Sequence, residues 1–313
     1  MPRRRASQRG WVRARDGVTL ITLLALAVGV IGLLQYARER RRTVYHGRSL
    51  AEWLVALGDA RADVRDTAAY ALTRLAPAFP AALPRVIRAE ADVLDDTDEE
   101  VQREATAALI TLGRGSDITV PTMVGVLARN PNASARVHAA QVLGALGQGA
   151  RAAIPVVIGA LSDSNASVRL VAVSALAQIG LPADQLVVVA RASTDRDAGV
   201  RAAAIESMIA LNAPAETLRA IGERAARDPD AVVRVQAAYA LASSGSPARI
   251  VPRLVAALDD EDPLVRVAAA TVLGRMGPEA RGATVALEHA AADSDREVRA
   301  VATRSLRAVR RTP

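Results

Sequence analysis

Apolar and polar positions recur along this chain in one pattern, written eight times and clearest in VRLVAVSALAQIG, residues 168–180. With its valine as position zero, the register restarts at Val64, Val101, Ala135, Val168, Val200, Val233, Val265 and Val298, at spacings of 32 to 37 residues. Position +4 is Ala in every copy, from Ala68 to Ala302, and position +8 is Leu or Met. Positions 0, +4, +8 and +11 share one face of a helix, so each copy predicts an amphipathic helix with one buried stripe. A fixed period of this length predicts a stacked array and not one central core.

Local signals divide each unit into helix A, a short turn, helix B and a break. Proline marks unit starts at Pro84, Pro121, Pro155, Pro182, Pro214 and Pro247. Gly113, Gly147, Gly180, Gly245 and Gly277 stand where helix B should close on a left-handed cap. Position −3 is Asp98, Asn132, Asn165, Asp197, Asp230, Asp262 or Asp295, each suited to accept from the free N–H groups opening helix B; only Arg61 departs. Ser49 with Glu52 forms a capping box ahead of Trp53 and Leu54, so the array is expected to begin at residue 49.

A different pattern precedes it. Residues 1–16 are a basic tail, residues 17–37 carry no charge, and residues 38–48 are a basic linker. The 21-residue apolar run would reach about 31 Å as a helix, matching a hydrocarbon core of about 30 Å. An uncleaved transmembrane helix is the expectation. A cleaved signal peptide is its rival, and Gln35-Tyr36-Ala37-Arg38 offers no small-x-small cleavage site. Six Arg before the run and five soon after it tilt the positive-inside rule slightly towards an internal N-terminus, with extracytoplasmic repeats. Ala25 and Gly29 form a small-xxx-small pair suited to helix pairing, a spacing that also arises by chance.

Charge counts change what the pI near 10.8 implies. Every basic residue is Arg; residues 1–48 carry a net +9 and residues 49–313 a net −2. The basic excess therefore belongs to the membrane-proximal end, and the array does not offer nucleic acid a basic groove. Its aromatic residues, Trp53, Tyr70, Phe79 and Tyr239, are too few for base stacking. With no Cys, thiolate ligands, Cys nucleophiles and disulfides are excluded.

The repeated D-x-x-V-R-x-x-A-x-x-x-L resembles HEAT repeats, specifically the short bacterial type known from phycobilisome lyase subunits, over about residues 49–313. The resemblance implies an all-α fold: an α-solenoid, a right-handed superhelix of about eight helix pairs, here following one transmembrane helix. It also implies that Arg65, Arg136, Arg169, Arg201, Arg234, Arg266 and Arg299, at +1, pair with turn Asp residues in a ladder between neighbours. Gln102 interrupts the ladder in the second unit. The lead-in YHGRSLAEWL is similar to that of membrane-tethered bacterial HEAT proteins.

Enzymes that share such arrays are tested residue by residue. Deoxyhypusine hydroxylases hold iron through His-Glu pairs, whereas His46, His138 and His289 are followed by Gly47, Ala139 and Ala290. Likeness to bilin lyases lies in packing positions and transfers no catalytic residue, so catalytic, cofactor-binding and metal-binding residues are all expected to be none, and no cofactor is expected. The acidic run Glu90 to Glu100 has no calcium-loop spacing and is expected to be a solvated turn.

On helix B, positions +2, +6 and +9 lie opposite the buried stripe, on the side that lines the concave surface of a HEAT-like solenoid. Val137, Gln141, Leu170, Ser174, Glu206, Ile209, Val235, Tyr239 and Val267 form this candidate partner groove, and Glu206 is the one charge among its fifteen positions. A protein or peptide partner is one reading; shielding by adjacent B helices is the other. The expected function is a non-catalytic, membrane-tethered scaffold that binds a protein or peptide and no nucleic acid, its oligomeric state unspecified. A bilin-lyase-type enzyme or accessory subunit, and a spacer without a specific ligand, are the alternatives.

Overall fold

A computed structural model describes residues 44–245 and 247–311. The basic tail, the apolar run 17–37 and most of the linker lie outside the described residues. Among those described, no helix is long and apolar enough to cross a membrane. The described chain forms two compact units, one ending at Ala89 and one starting at Glu90.

In the first unit, β1 (Val44–Tyr45) and β2 (Arg48–Ser49) form an antiparallel hairpin. His46 (φ 45°) and Gly47 (φ 78°) both take the left-handed conformation that a two-residue hairpin turn requires. Part of the expected linker is therefore structured. Ser49 caps α1 (Leu50–Ala56), and the Glu52 carboxylate accepts the Ser49 N–H at 2.6 Å. That backbone hydrogen bond holds the Glu52 carboxyl below its usual range. Trp53 Nε1 donates to the Tyr45 carbonyl at 3.1 Å, and the Tyr45 ring meets Tyr70 of α2 (Ala62–Leu75) edge-on at 5.8 Å. The hairpin thus packs on both helices of the first pair. The boundary between units falls within α3 (Leu83–Asp92).

The second unit continues with α4 (Glu99–Gly113), α5 (Thr119–Arg129), α6 (Ala133–Ala145), α7 (Ile154–Ala160), α8 (Ala166–Ile179), α9 (Leu186–Ala192) and α10 (Ala198–Ala210). It ends with α11 (Ala215–Ala225), α12 (Ala231–Ser243), α13 (Pro247–Ala257), α14 (Pro263–Met276), α15 (Thr284–Ala290) and α16 (Arg296–Val309). Odd-numbered helices are A helices and even-numbered ones B helices. All seven expected Asp and Asn caps accept backbone N–H groups of their B helices, while Arg61 makes no side-chain cap. Gly147, Gly180, Gly245 and Gly277 have positive φ; Gly113 does not, and Asn212 (φ 50°) takes the left-handed role after α10. At Gly113 closeness matters instead, since an added Cβ would stand 2.8 Å from Thr119 Cγ2.

Successive B helices pack against one another throughout this unit, whereas direct packing between successive A helices is sparse. The layer with the closer neighbours lies on the inside of a curved stack, so the B helices form the inner layer. The buried stripe is broader than expected: +5 and +7 join 0, +4, +8 and +11, as Val173 and Ala175 do in α8. Position +7 faces the preceding repeat and +9 the following one. A Cβ on Gly144 would come within 3.1 Å of Ala175 Cα, and one on Gly274 within 2.8 Å of Ser305 Cβ. The pairs α6–α8 and α14–α16, which carry those glycines, are the closest-packed B neighbours. In these units +9 is an inter-repeat contact and not part of an open groove.

The acidic run also departs from expectation at its first residue. Glu90 lies on the buried side of α3, fully enclosed, and neither carboxylate oxygen has a hydrogen-bond partner. Burial, with the nearby Glu104 charge added, pushes its carboxyl well above the usual range. A raised folded-state pKa means that folding favours the protonated form. Its stabilising contribution is complete below the unfolded value of about 4.3 and is lost as pH rises through the folded value. Glu90→Gln is therefore expected to raise the urea midpoint at pH 8, reflecting a gain of roughly 1–3 kcal/mol in unfolding free energy for one relieved buried charge. At pH 4 the two proteins should unfold together; a Gln variant no more stable at pH 8 would show that Glu90 ionises without cost.

Candidate functional site

Five rungs of the inter-repeat ladder share one geometry, built from two turns. The Asp at −5 (Asp163, Asp195, Asp228, Asp260 or Asp293) accepts the backbone N–H of residue −3 at 2.7–3.0 Å, which fixes its carboxylate within the turn. The +1 Arg of the preceding repeat (Arg136, Arg169, Arg201, Arg234 or Arg266) grips both carboxylate oxygens through Nε and Nη2 at 2.7–3.0 Å. Its Nη1 meanwhile donates to two carbonyls of its own turn at 2.8–3.2 Å. One guanidinium therefore ties its own turn to the next.

Exposure decides what such a pair contributes. The Arg169 and Asp195 side chains are only 5% and 14% exposed, so the pairs are not solvent-screened surface bridges. The guanidinium beside Asp195, and that beside Asp293, holds the carboxyl below its usual range. For Asp163, Asp228 and Asp260, burial pushes upward, but the guanidinium and the turn N–H outweigh it. Depressed values mean stability present above about pH 3.9 and lost as pH falls through the folded pKa, opposite in sign to Glu90.

The second rung is built differently. Gln102 occupies +1 and donates from Nε2 to the Asp96 carbonyl, as the arginines do to their own turns. The position corresponding to the turn Asp of the next repeat is Asn130, which still accepts the turn N–H of Asn132 at 2.8 Å. Both charged members of the rung are thus replaced by uncharged residues. In place of the ion pair, Gln102 Oε1 accepts from Ser134 Oγ at 2.7 Å and lies 3.1 Å from His138 Nε2. His138 Nδ1 lies 3.1 Å from Thr106 Oγ1 and 3.0 Å from Gln141 Oε1, and burial pushes the imidazole pKa down. The sequence reading saw Gln102 but missed Asn130; the −5 column held the signal.

At the ladder's ends, Arg65 Nη1 donates to the carbonyls of Asp59 and Ala60, and Arg299 Nη1 to those of Asp293 and Ser294.

The nine candidate groove residues lie on the inner B-helix layer. Gln141 and Glu206 are exposed; Val137, Leu170, Ser174, Ile209, Val235, Tyr239 and Val267 are half-buried. Neighbouring B helices account for some of that cover: Leu170 Cδ1 lies against Gly199 at the start of α10, and Arg275 sits 6.0 Å over the Tyr239 ring. Val187 and Val285 are exposed on the A helices α9 and α15, while on the B helices of this unit the exposed large apolar side chains are Val232 (52%) and Leu264 (57%), both at −1. That position falls beside +2 and +6 on the helical wheel, so Val232, Val235 and Tyr239 on α12 adjoin Leu264 and Val267 on α14. Sequence reasoning missed both −1 residues because it followed only the positions opposite the core. Between the two layers, a cavity of about 260 Å³ beside α11, α12 and α13 is lined by Arg227, Arg234 and Arg253. Asp260 and Glu223 engage the latter two.

Arg201→Ala should cost more than Arg307→Ala. The first strips a half-buried carboxylate of its charged donors, roughly 1.5–3 kcal/mol; the second removes an exposed Arg, within about 0.5 kcal/mol. Equal urea midpoints would show that the rungs are energetically idle. At the second rung, Gln102→Arg and Asn130→Asp should each destabilise alone and recover together, with a coupling of about 0.5–3 kcal/mol in a double-mutant cycle. Additive effects would mean that the two positions do not form one rung.

Comparison with known proteins places this geometry in a family. No curated protein matches the chain. The X-ray structure of YibA from Escherichia coli aligns at a TM-score of 0.59 and 14% identity, covering 89% of this chain and 97% of that one, a likeness of fold alone. An engineered protein aligns at a TM-score of 0.44 and 22% identity, over 83% of this chain and 78% of that one. HEAT repeats match residues 120–209 and 218–307, more than half of the chain. The chain belongs to the HEAT-repeat family.

Proposed function

We propose that this chain is a non-catalytic scaffold that holds a protein or peptide against the inner B-helix layer, close to a membrane. The observation that carries the binding reading is the apolar strip shared by α12 and α14, where Val232 and Leu264 are more than half exposed beside half-buried Val235, Tyr239 and Val267. Such a strip on an otherwise charged array is costly to leave in water and gains when covered. Binding rather than catalysis is supported by the histidines, which stand apart: His46 in the hairpin turn, His138 within the second rung and His289 exposed on α15. Membrane tethering rests on the apolar run 17–37, and the slight excess of Arg before it favours extracytoplasmic repeats. Within the family, the short D-x-x-V-R-x-x-A unit favours the bacterial phycobilisome-lyase-like type.

Val232→Glu with Leu264→Glu is the cleanest test, because both side chains already reach solvent and the folded array should tolerate them. Burying those carboxylates under an apolar partner would cost several kcal/mol, enough to lose most of a micromolar affinity. Partners crosslinked to the parent in its native membrane should be absent from the double variant, while its circular dichroism and urea midpoint stay unchanged. Leu176→Glu, aimed into the core, should unfold its repeat. Retention of every partner by the double variant would remove the inner layer as the binding surface. Digestion of the repeats by protease added to spheroplasts is expected, and protection would reverse the orientation.

A further inference from the structure

The rung that starts at Arg299 shows one of its halves among the described residues. Arg299 stands at +1 of α16 and makes the same two bonds to its own turn as its counterparts, Nη1 donating to the Asp293 and Ser294 carbonyls at 2.7 and 2.8 Å. In five other repeats a guanidinium held in this way presents Nε and Nη2 to a carboxylate. Among the described residues, no carboxylate pairs with Arg299. Its side chain is half-buried, so the fork is held in place by its own turn. The open fork is the receptor half of a bidentate carboxylate site.

The surrounding surface indicates what fills it. On the helical wheel Arg299, Arg304 and Arg307 lie on the side of α16 away from Ser305, which meets α14; Arg310 and Arg311 follow the helix end, and residues 296–311 hold six Arg against Glu297 alone. Of these, Arg310 is paired with Glu288. At +9, where α6 and α14 carry glycine to admit a neighbouring helix, α16 carries exposed Arg307. A closely stacked helix would have to displace that side chain; a thin acidic segment would pair with it. We infer that this face of α16 binds an acidic peptide segment of a partner protein, one of whose carboxylates completes the rung with Arg299. The site centres on Arg299 and Arg307, apart from the α12–α14 strip, and does not depend on that reading.

The probe is a fluorescein-labelled peptide of residues 92–101, DVLDDTDEEV, which carries six acids and the ladder-register Asp96. It is titrated against the full chain by anisotropy at low salt. Arg299→Lys keeps the charge but cannot form the planar fork, and is expected to weaken binding at least tenfold with unchanged circular dichroism. Replacing Asp96 of the peptide by Asn should cost a similar factor. Arg281→Lys, at an exposed site on another element, should change nothing. The basic N-terminal tail is common to every variant, so the differences report on α16. No saturable binding would overturn the inference, as would an Arg299→Lys affinity within twofold of the parent. So would self-association of the parent that Arg299→Lys abolishes, which would make the occupant a second copy.

Discussion

The bidentate grip of one guanidinium on the next turn's carboxylate sets the register of this array. Its helices are lined with Ala, Val and Leu, whose surfaces vary little from repeat to repeat. Apolar packing of that kind favours closeness without strongly selecting how one helix slides along its neighbour. A planar fork meeting a carboxylate, itself tied to a turn N–H, is satisfied in only one relative position. Desolvation takes back much of the Coulombic attraction of such pairs. Their main effect is on which stacking is allowed, and less on how stable it is.

That division explains what was legible in the sequence. Cap residues such as Asp197 and Asn165 act on the helix that follows them directly, so their spacing announced the B helices. Left-handed closures at Gly147, Gly180 and Gly277 are local in the same way. Contacts between repeats were less visible. Position +9 looked open on a single helical wheel, yet at Gly144 and Gly274 it meets a helix about 30 residues later in the chain. Glu90 looked solvated because its neighbours in sequence are acidic, while its enclosure is a tertiary fact. Of the groove residues, Gln141 and Glu206 are exposed as a wheel would have them, while Leu170 is partly taken up by α10.

The second rung separates the two functions that the other rungs combine. Gln102 keeps the bond to its own turn and Asn130 keeps the turn N–H, so each turn retains its internal geometry without charge. The link across the repeats passes to Ser134, Thr106 and His138, whose hydrogen bonds are neutral and individually weaker than an ion-paired fork. Register at this junction is therefore shared among several small contacts.

An array whose register comes from its turns leaves its helix faces free to vary. The rung atoms lie at the helix starts, so substitutions at −1, +2 or +6 along the inner layer disturb neither the fork nor the core stripe. This is why Val232 and Leu264 can be exposed in a unit whose rungs, Arg234 with Asp260 and Arg266 with Asp293, keep their full geometry. These two side chains contribute little to the core, and they are the ones that the proposed partner would cover. On α16, exposed Arg307 occupies +9, the position that Gly144 and Gly274 devote to inter-repeat packing. Stability constrains the turns and the stripe, and the remaining faces are free to vary.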